Sequence, residues 1–235
     1  MLKEQRLKKI LEFVNIKGYC SNEDISKTLN IPFTTLRRDL TNLNNDYKLK
    51  RVHGGAQSLK EKTILEEQLE ERLTINIDTK KNIAKKALLC IKSSETIFLD
   101  AGSSTYFLAK QITPELNIRI YTNSIINAQI LANNGNKNIY ILPGKLKLST
   151  GAICGVETVN AITKYYFDAA FLGVNAIDKE FNFYTTDDDE AEVKKAIIKH
   201  SQFSFGLADK SKMESKSFIV FSDKSQIALI SEGDL

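Results

Sequence analysis

The sequence predicts an α/β protein of two parts: a small helical head carrying a short β-ribbon, then an open, mostly parallel α/β body. Three observations predict it. Helical periodicity with capping and breaking residues fills the stretch up to Asn44, short apolar strands alternate with amphipathic helices from Asn76 onward, and charge is divided unevenly between the two. Residues 1–59 carry 11 basic and 6 acidic side chains, a net +5, while 22 basic and 23 acidic residues leave the remainder at −1. A basic head on a neutral body suits a phosphate-backbone binder joined to a sensing or catalytic unit, because Lys and Arg gain affinity by releasing condensed counterions. Accidental asymmetry of a solvated surface is the competing explanation.

Composition removes other classes. With 235 residues, 42% hydrophobic and 26% charged, the chain is long and apolar enough to bury a core, and it is neither disordered nor fibrous. No apolar run approaches the roughly 20 residues of a membrane span. The start, Met1 to Val14, mixes charges into its apolar positions and so lacks the pattern of a signal peptide, which makes the cytoplasm the expected compartment. Cys20, Cys90 and Cys154 are widely spaced beside two histidines, His53 and His200, so neither a disulfide framework nor a zinc ligand set is visible. No metal or cofactor is expected.

In the head, Leu2, Leu7, Ile10, Leu11 and Val14 recur at helical spacing and Gly18 stops that first helix. Ser21, followed by Asn22-Glu23-Asp24, is an N-cap with acidic residues in the first turn, and Ile25 and Leu29 share one face of a short second helix. Asn30-Ile31-Pro32 breaks it. Leu36, Leu40 and Leu43 then define a third helix from about Thr34 to Asn44. Opposite that stripe stands Arg38, flanked by Thr34, Thr35, Thr41 and Asn42, with Arg37 to the side. Such a face suits the major groove, whose width admits one helix and whose guanine edges pair with Arg. A three-helix bundle with solvated arginines is the alternative. Tyr47 to Ala56 alternates basic and apolar residues into Gly54-Gly55, the pattern of a small wing that would lay Lys48, Lys50 and Arg51 on the DNA backbone.

The strings Thr34-Thr35-Leu36-Arg37-Arg38-Asp39-Leu40 and Arg51-Val52-His53-Gly54-Gly55-Ala56 resemble the helix-turn-helix and wing of DeoR-type bacterial transcription regulators. The resemblance implies a winged helix-turn-helix DNA-binding domain over residues 1–56, contacting double-stranded operator DNA through Thr34, Thr35, Arg37, Arg38, Lys48, Lys50, Arg51 and His53. Ile31-Pro32 stands where the family usually has Val-Ser, so the usual capping serine is absent.

Residues 57–74 read as a hinge leading into a helix, and 75–235 as the body. Candidate strands are 96–99, 118–121, 138–142, 167–172, 203–206 and 226–230, with helices at about 79–92, 104–111, 124–132, 156–163 and 188–200. In open α/β sheets ligands bind outside the carboxyl ends of strands. There lie Asp100-Ala101-Gly102-Ser103-Ser104-Thr105, which reads equally as a phosphate cradle or as a serine-capped turn, and Thr122-Asn123-Ser124. Gly173 ends another strand where the chain approaches a ligand closely. Asp187 to Glu190 with Lys194 is explained largely as an acidic helix start with an i,i+4 pair, and Lys210 serves a phosphate or merely solvent.

The body also resembles the effector domain of these regulators, a fold similar to ribose-phosphate isomerases and glucosamine-phosphate deaminases. That resemblance implies a phosphorylated sugar as effector, with phosphate held near Gly102 and Gly173 by Ser103, Ser104 and Thr105, and the sugar lined by Asp100, Asn123, Glu190, Lys194 and Lys210. Departures from the family occur at Gly144-Lys145 and at Ile230-Ser231-Glu232. The expected function is a transcriptional regulator, most simply a repressor of a carbohydrate operon, acting as a homodimer or homotetramer. Two alternatives differ in class: a sugar-phosphate isomerase or deaminase with Glu190 or Asp100 as general base, and a structural nucleic-acid-binding protein without an effector.

Overall fold

A computed structural model describes residues 3–17, 19–52, 54–58 and 69–233. His53 and most of the expected linker therefore lie outside the described residues. The chain divides into two compact units, broken between Thr63 and Ile64.

The first unit contains α1 (Lys3–Lys17), β1 (Tyr19–Ser21), α2 (Asn22–Leu29), α3 (Phe33–Asn45), β2 (Leu49–Val52) and β3 (Gly55–Ser58). The Ser21 hydroxyl accepts the Asp24 amide and starts α2, and Asn30, at φ 51°, ends it in the left-handed region. Pro32 opens α3 without a side-chain cap, the local consequence of the missing serine. Ile10, Val14, Ile25, Leu36, Leu40, Leu43 and Leu49 close one apolar core. The wing is larger than its sequence pattern: β3 pairs with both β2 and β1, giving an antiparallel sheet of order β1-β3-β2 that runs to Ser58, past the expected boundary at residue 56. Gly55 permits this, because a Cβ there would overlap the Cys20 carbonyl oxygen.

The second unit begins with α4 (Leu69–Thr74) and α5 (Ile77–Leu88), followed by β4 (Thr96–Leu99), α6 (Ser103–Ala109), β5 (Arg119–Thr122), α7 (Ile125–Asn133) and β6 (Ile139–Ile141). Then come β7 (Lys145–Lys147), β8 (Ala152–Cys154), α8 (Val156–Ile162), β9 (Phe167–Gly173), β10 (Ala176–Ile177), β11 (Asn182–Thr185), α9 (Asp188–Lys199), β12 (Ser201–Leu207), β13 (Ile219–Asp223) and β14 (Ala228–Ile230). Six strands form a parallel sheet of order β14-β12-β9-β4-β5-β6. Alternation along the strands feeds two cores. Ile97, Leu99, Ala169 and Phe171 pack with Ile83 of α5 and Leu108 of α6, while Phe98, Ala170 and Leu172 pack with Ile162 of α8 and Ile197 of α9.

Two features were absent from the sequence reading. Strands β10, β11 and β13 make a small antiparallel sheet, and β7 with β8 makes a hairpin. Among the described residues no helix is long and apolar enough to cross a membrane. Topology locates the functional end. From β4 the chain moves outward through β5 to β6, then returns to lay β9 on the other flank of β4. Strand order reverses between β4 and β9, and the crevice at their carboxyl ends is where such folds bind ligands.

Candidate DNA interface and effector site

In the head, α3 turns Leu36, Asp39, Leu40 and Leu43 inward and leaves Thr34, Arg37 and Arg38 exposed, with Thr35, Thr41 and Asn42 half-buried. Asp39 is the surprise on the inner face. Its carboxylate, 1% exposed, receives Arg6 Nε at 2.5 Å and Nη2 at 3.3 Å, a two-point pair that fixes α3 against α1. The pair also places Arg6 with Lys3, Thr34, Thr35 and Arg38 around a cleft of about 300 Å³. Sequence reasoning missed Lys3 and Arg6, because the burial of Asp39 depends on a partner 33 residues away.

The wing cations differ in freedom. Lys50 is exposed, and Lys48 makes only a solvated pair with Asp46 at 3.7 Å, worth little. Arg51 is held against α3: its Nη1 donates to the Thr41 hydroxyl at 2.8 Å and its amide to Asn44 Oδ1 at 2.8 Å. It is thus fixed on the flank of α3 instead of extending from the wing.

In the body, the centre is a buried ion pair. Asp100, just past β4, contacts Lys194 of α9 directly, and both are at most 3% exposed. The same Asp100 oxygen accepts the Gly173 amide at 3.0 Å, and Lys194 Nζ donates to the Gly173 carbonyl at 2.9 Å. Carboxyl ends of β4 and β9 are thereby joined through one helix. The absence of a side chain on Gly173 eases this close approach, since a Cβ on it would lie 3.3 Å from the Ala101 carbonyl oxygen.

Around this centre the expected residues have distinct tasks. Ser103 and Ser104 open α6, and they are 3% and 8% exposed. Gly102 sits before them, where a Cβ would stand 3.9 Å from the Gly173 Cα. The Thr105 hydroxyl donates to the Gly102 carbonyl at 2.9 Å, so it braces the turn. Asn123 also braces: its Oδ1 accepts the Ala101 amide at 2.9 Å, and its Nδ2 donates to the Ile153 carbonyl at 3.3 Å, tying the β4 loop to β8. Glu190 is joined to the group by the β7–β8 hairpin. Thr150 donates to its Oε1 at 2.7 Å, Lys147 approaches the same oxygen at 3.4 Å, and Thr185 donates to Oε2 at 3.2 Å. Glu190 and Lys194, expected as an i,i+4 pair, instead take different partners. Lys210 stands apart: it is exposed, its amide bonds Glu232 at 3.1 Å, and its side chain lies beside Gly233.

The structure adds four residues to this crevice: Lys147, Thr150, Thr185 and Arg72, whose Nη2 would be 3.8 Å from a Cβ on Gly102. A usable signal existed for Arg72, because the positions three and four residues away hold Gln68, Leu69, Ile75 and Asn76, leaving its charge without a helical partner. Cys154 closes the inner wall. Burial, reinforced by the carboxylates of Glu190 and Asp100, pushes its thiol from the ordinary 9.0 up to about 12.

Residues 6–62 match the family model of the DeoR-like helix-turn-helix domain, and residues 75–232 match that of the DeoR C terminal sensor domain. The chain belongs to the DeoR family. Relatives of this DeoR-family protein span nearly its whole length. The uncharacterized HTH-type transcriptional regulator FruR of Bacillus subtilis is 33% identical, covering 98% of this chain and 91% of its own. The glycerol-3-phosphate regulon repressor of Haemophilus influenzae is 30% identical over 100% and 91%, and the lactose phosphotransferase system repressor of Lactococcus lactis 33% over 91% and 84%. Among solved structures, eIF2B delta of Chaetomium thermophilum shares the fold at 15% identity and TM-score 0.50, over 71% of this chain and 59% of that one. Ribose 5-phosphate isomerase A of Methanocaldococcus jannaschii aligns at 16% identity and TM-score 0.44, over 59% and 55%. The Bacillus, Haemophilus and Lactococcus relatives of this chain are transcriptional regulators and repressors, and its membership of their family sets aside the isomerase alternative.

Two outcomes are expected from the sensor chemistry. Lys194→Met strands a buried carboxylate and lowers stability by about 3–5 kcal/mol, and adding Asp100→Asn restores at least half of that loss, as read by urea unfolding. For Cys154 the folded thiol titrates about three units above its ordinary value, at about 12 against 9.0. Its contribution to stability is fully present below pH 9 and falls with rising pH toward 12, by up to about 1.4 kcal/mol per unit. Cys154→Ala flattens this part of the stability profile, and an unchanged slope refutes the assignment.

Proposed function

We propose that this protein is a repressor of a carbohydrate-metabolism operon whose affinity for operator DNA is set by a phosphorylated sugar in the sensor domain. It acts in the cytoplasm as a homodimer or homotetramer, with heads on half-sites spaced along one face of the duplex. The observation that carries the reading is the coexistence of an exposed Thr34-Arg37-Arg38 face on α3 with a polar crevice where strand order reverses. In that crevice Ser103 and Ser104 are nearly buried beside the Asp100–Lys194 pair, a setting for an anion with hydroxyl groups attached. Repressors of glycerol-3-phosphate and lactose systems among the relatives support the same chemistry.

Thr34, Thr35, Arg37 and Arg38 read base edges and nearby phosphates, while Lys48, Lys50, Arg51 and His53 hold the backbone. Asp100, Gly102, Ser103, Ser104, Thr105, Asn123, Gly173, Glu190 and Lys194 bind or shape the effector, while Lys210 stands outside this group. The effector favours one arrangement of the heads over another, and control is the resulting population shift.

The test has two arms. Duplexes enriched from a random library by the wild-type protein should bind Arg38→Ala at least about tenfold more weakly per half-site, with the sensor melting unchanged. A panel of sugars with and without phosphate should contain one phosphorylated member that stabilises the protein, by about 2.7 kcal/mol at a hundredfold excess over Kd, and that alters binding to those duplexes. Wild-type affinity of a folded Arg38→Ala variant removes α3 from the groove.

A further inference from the structure

Every oxygen of Glu190 is already engaged. Thr150 and Lys147 of the β7–β8 segment take Oε1, Thr185 takes Oε2, and Lys147 also pairs with Asp187 at 3.2 Å. A sugar hydroxyl reaches Oε1 by displacing Thr150 or Lys147, whereas Oε2, with Thr185 as its donor, keeps an acceptor site. The same hairpin supports α4. The Leu69 amide donates to the Ser149 carbonyl at 3.0 Å, next to Thr150, and the Leu69 side chain, 4% exposed, would be 3.4 Å from a Cβ on Gly151. At its other end α4 is anchored differently, because buried Lys80 donates to the Arg72 and Ile75 carbonyls at 2.5 and 2.6 Å. One end of α4 is thus fixed to α5 while the other rests on a loop that the crevice itself holds.

We propose that the β7–β8 hairpin is a latch operated by the effector: sugar hydroxyls compete with Thr150 and Lys147 for Glu190, the hairpin lifts, and the amino-terminal end of α4 loses its support. This rests on the sugar-phosphate reading of the crevice and assigns its regulation. In sequence α4 is the first described element after the DNA-binding domain, so a change in its amino-terminal end falls where the chain leaves the head. Asn123 supplies the fixed edge of the motion. It holds Ile153 at the β8 side through its side-chain amide, and its carbonyl accepts the Ile153 amide at 2.7 Å, so β8 is the fixed side about which the Lys147–Thr150 side would pivot once its bonds to Glu190 are exchanged. On this proposal the latch has two discrete arrangements, seated on Glu190 as in this structure and lifted by the effector, which is what a switch requires.

The variants are Lys147→Met with Thr150→Val, and Lys147→Met alone as a milder change at the rim. Hydrogen exchange of the full-length protein reads the Leu69 to Thr74 amides, and thermal shift reads affinity for the phosphorylated sugar that stabilises the wild type. The double variant should exchange those amides about tenfold faster without any sugar, and should bind the sugar about tenfold more tightly because no latch opposes it. The single variant should move both readouts in the same direction. The stabilising sugar, added to the wild-type protein, should speed exchange at Leu69 and at the hairpin. Slower exchange at Leu69 on adding the sugar overturns the proposal, since the ligand would then clamp the hairpin. A responsive wild type matched by its double variant in both readouts overturns the latch alone. Indifference of the wild type to every phosphorylated sugar overturns the effector reading, and the latch with it.

Discussion

The sensor domain depends on one contact, the buried pair of Asp100 and Lys194. Charges removed from water persist only when geometry and further hydrogen bonds compensate their desolvation, and both are supplied here by the amide and carbonyl of Gly173. The neighbouring strands β4 and β9 and the helix α9 are therefore pinned to one another where the strand order reverses. Everything polar in the crevice is arranged around that point. Asn127 of α7 donates to the Asp100 carbonyl at 3.0 Å, and Thr122 at the end of β5 donates to the Leu99 carbonyl at 2.6 Å. The pair is a registration device for the sheet as much as a feature of the site.

Legibility followed the range of the interactions. Strands β4, β5, β9 and β12 were readable because a parallel sheet covered on both faces writes itself as short apolar runs, and Ala169 to Leu172 is one such run. Helices α2, α3, α7 and α9 were readable from local caps and apolar spacing, Ser21 and Asp187 being N-caps in the structure. The β7–β8 hairpin was not readable. Lys145-Leu146-Lys147 is three residues long and mostly exposed, and its pairing is decided by Asn123 and Glu190, which lie on other elements. Strands β11 and β13 pair across an intervening helix and strand, so neither shows a hairpin signal.

The site divided in the same way. Residue identity at strand ends singled out Asp100, Asn123 and Gly173, which the structure brings together, yet the work of each depends on partners far along the chain. Asn123 and Thr105 brace backbone, and Glu190 is joined to the crevice by a hairpin that local pattern does not show. Lys210 was placed by its position after β12 alone, and the turn it occupies directs it to Glu232 and Gly233. A strand's carboxyl end is a necessary address for a ligand contact but not a sufficient one.

The bond between Arg51 and Thr41 has a consequence beyond position. Wing and α3 are joined by a side-chain contact and by the Arg51 amide donating to Asn44 Oδ1, while Arg6 holds α3 from behind through Asp39. A helix tied on two sides has its backbone placed in advance, so the ordering entropy left to oppose binding is mainly that of exposed side chains such as Arg37 and Arg38. A backbone so placed shares the task of discrimination with the duplex: beside any base-edge contacts, sequences that bend or twist easily to meet it hold an advantage at positions no side chain touches.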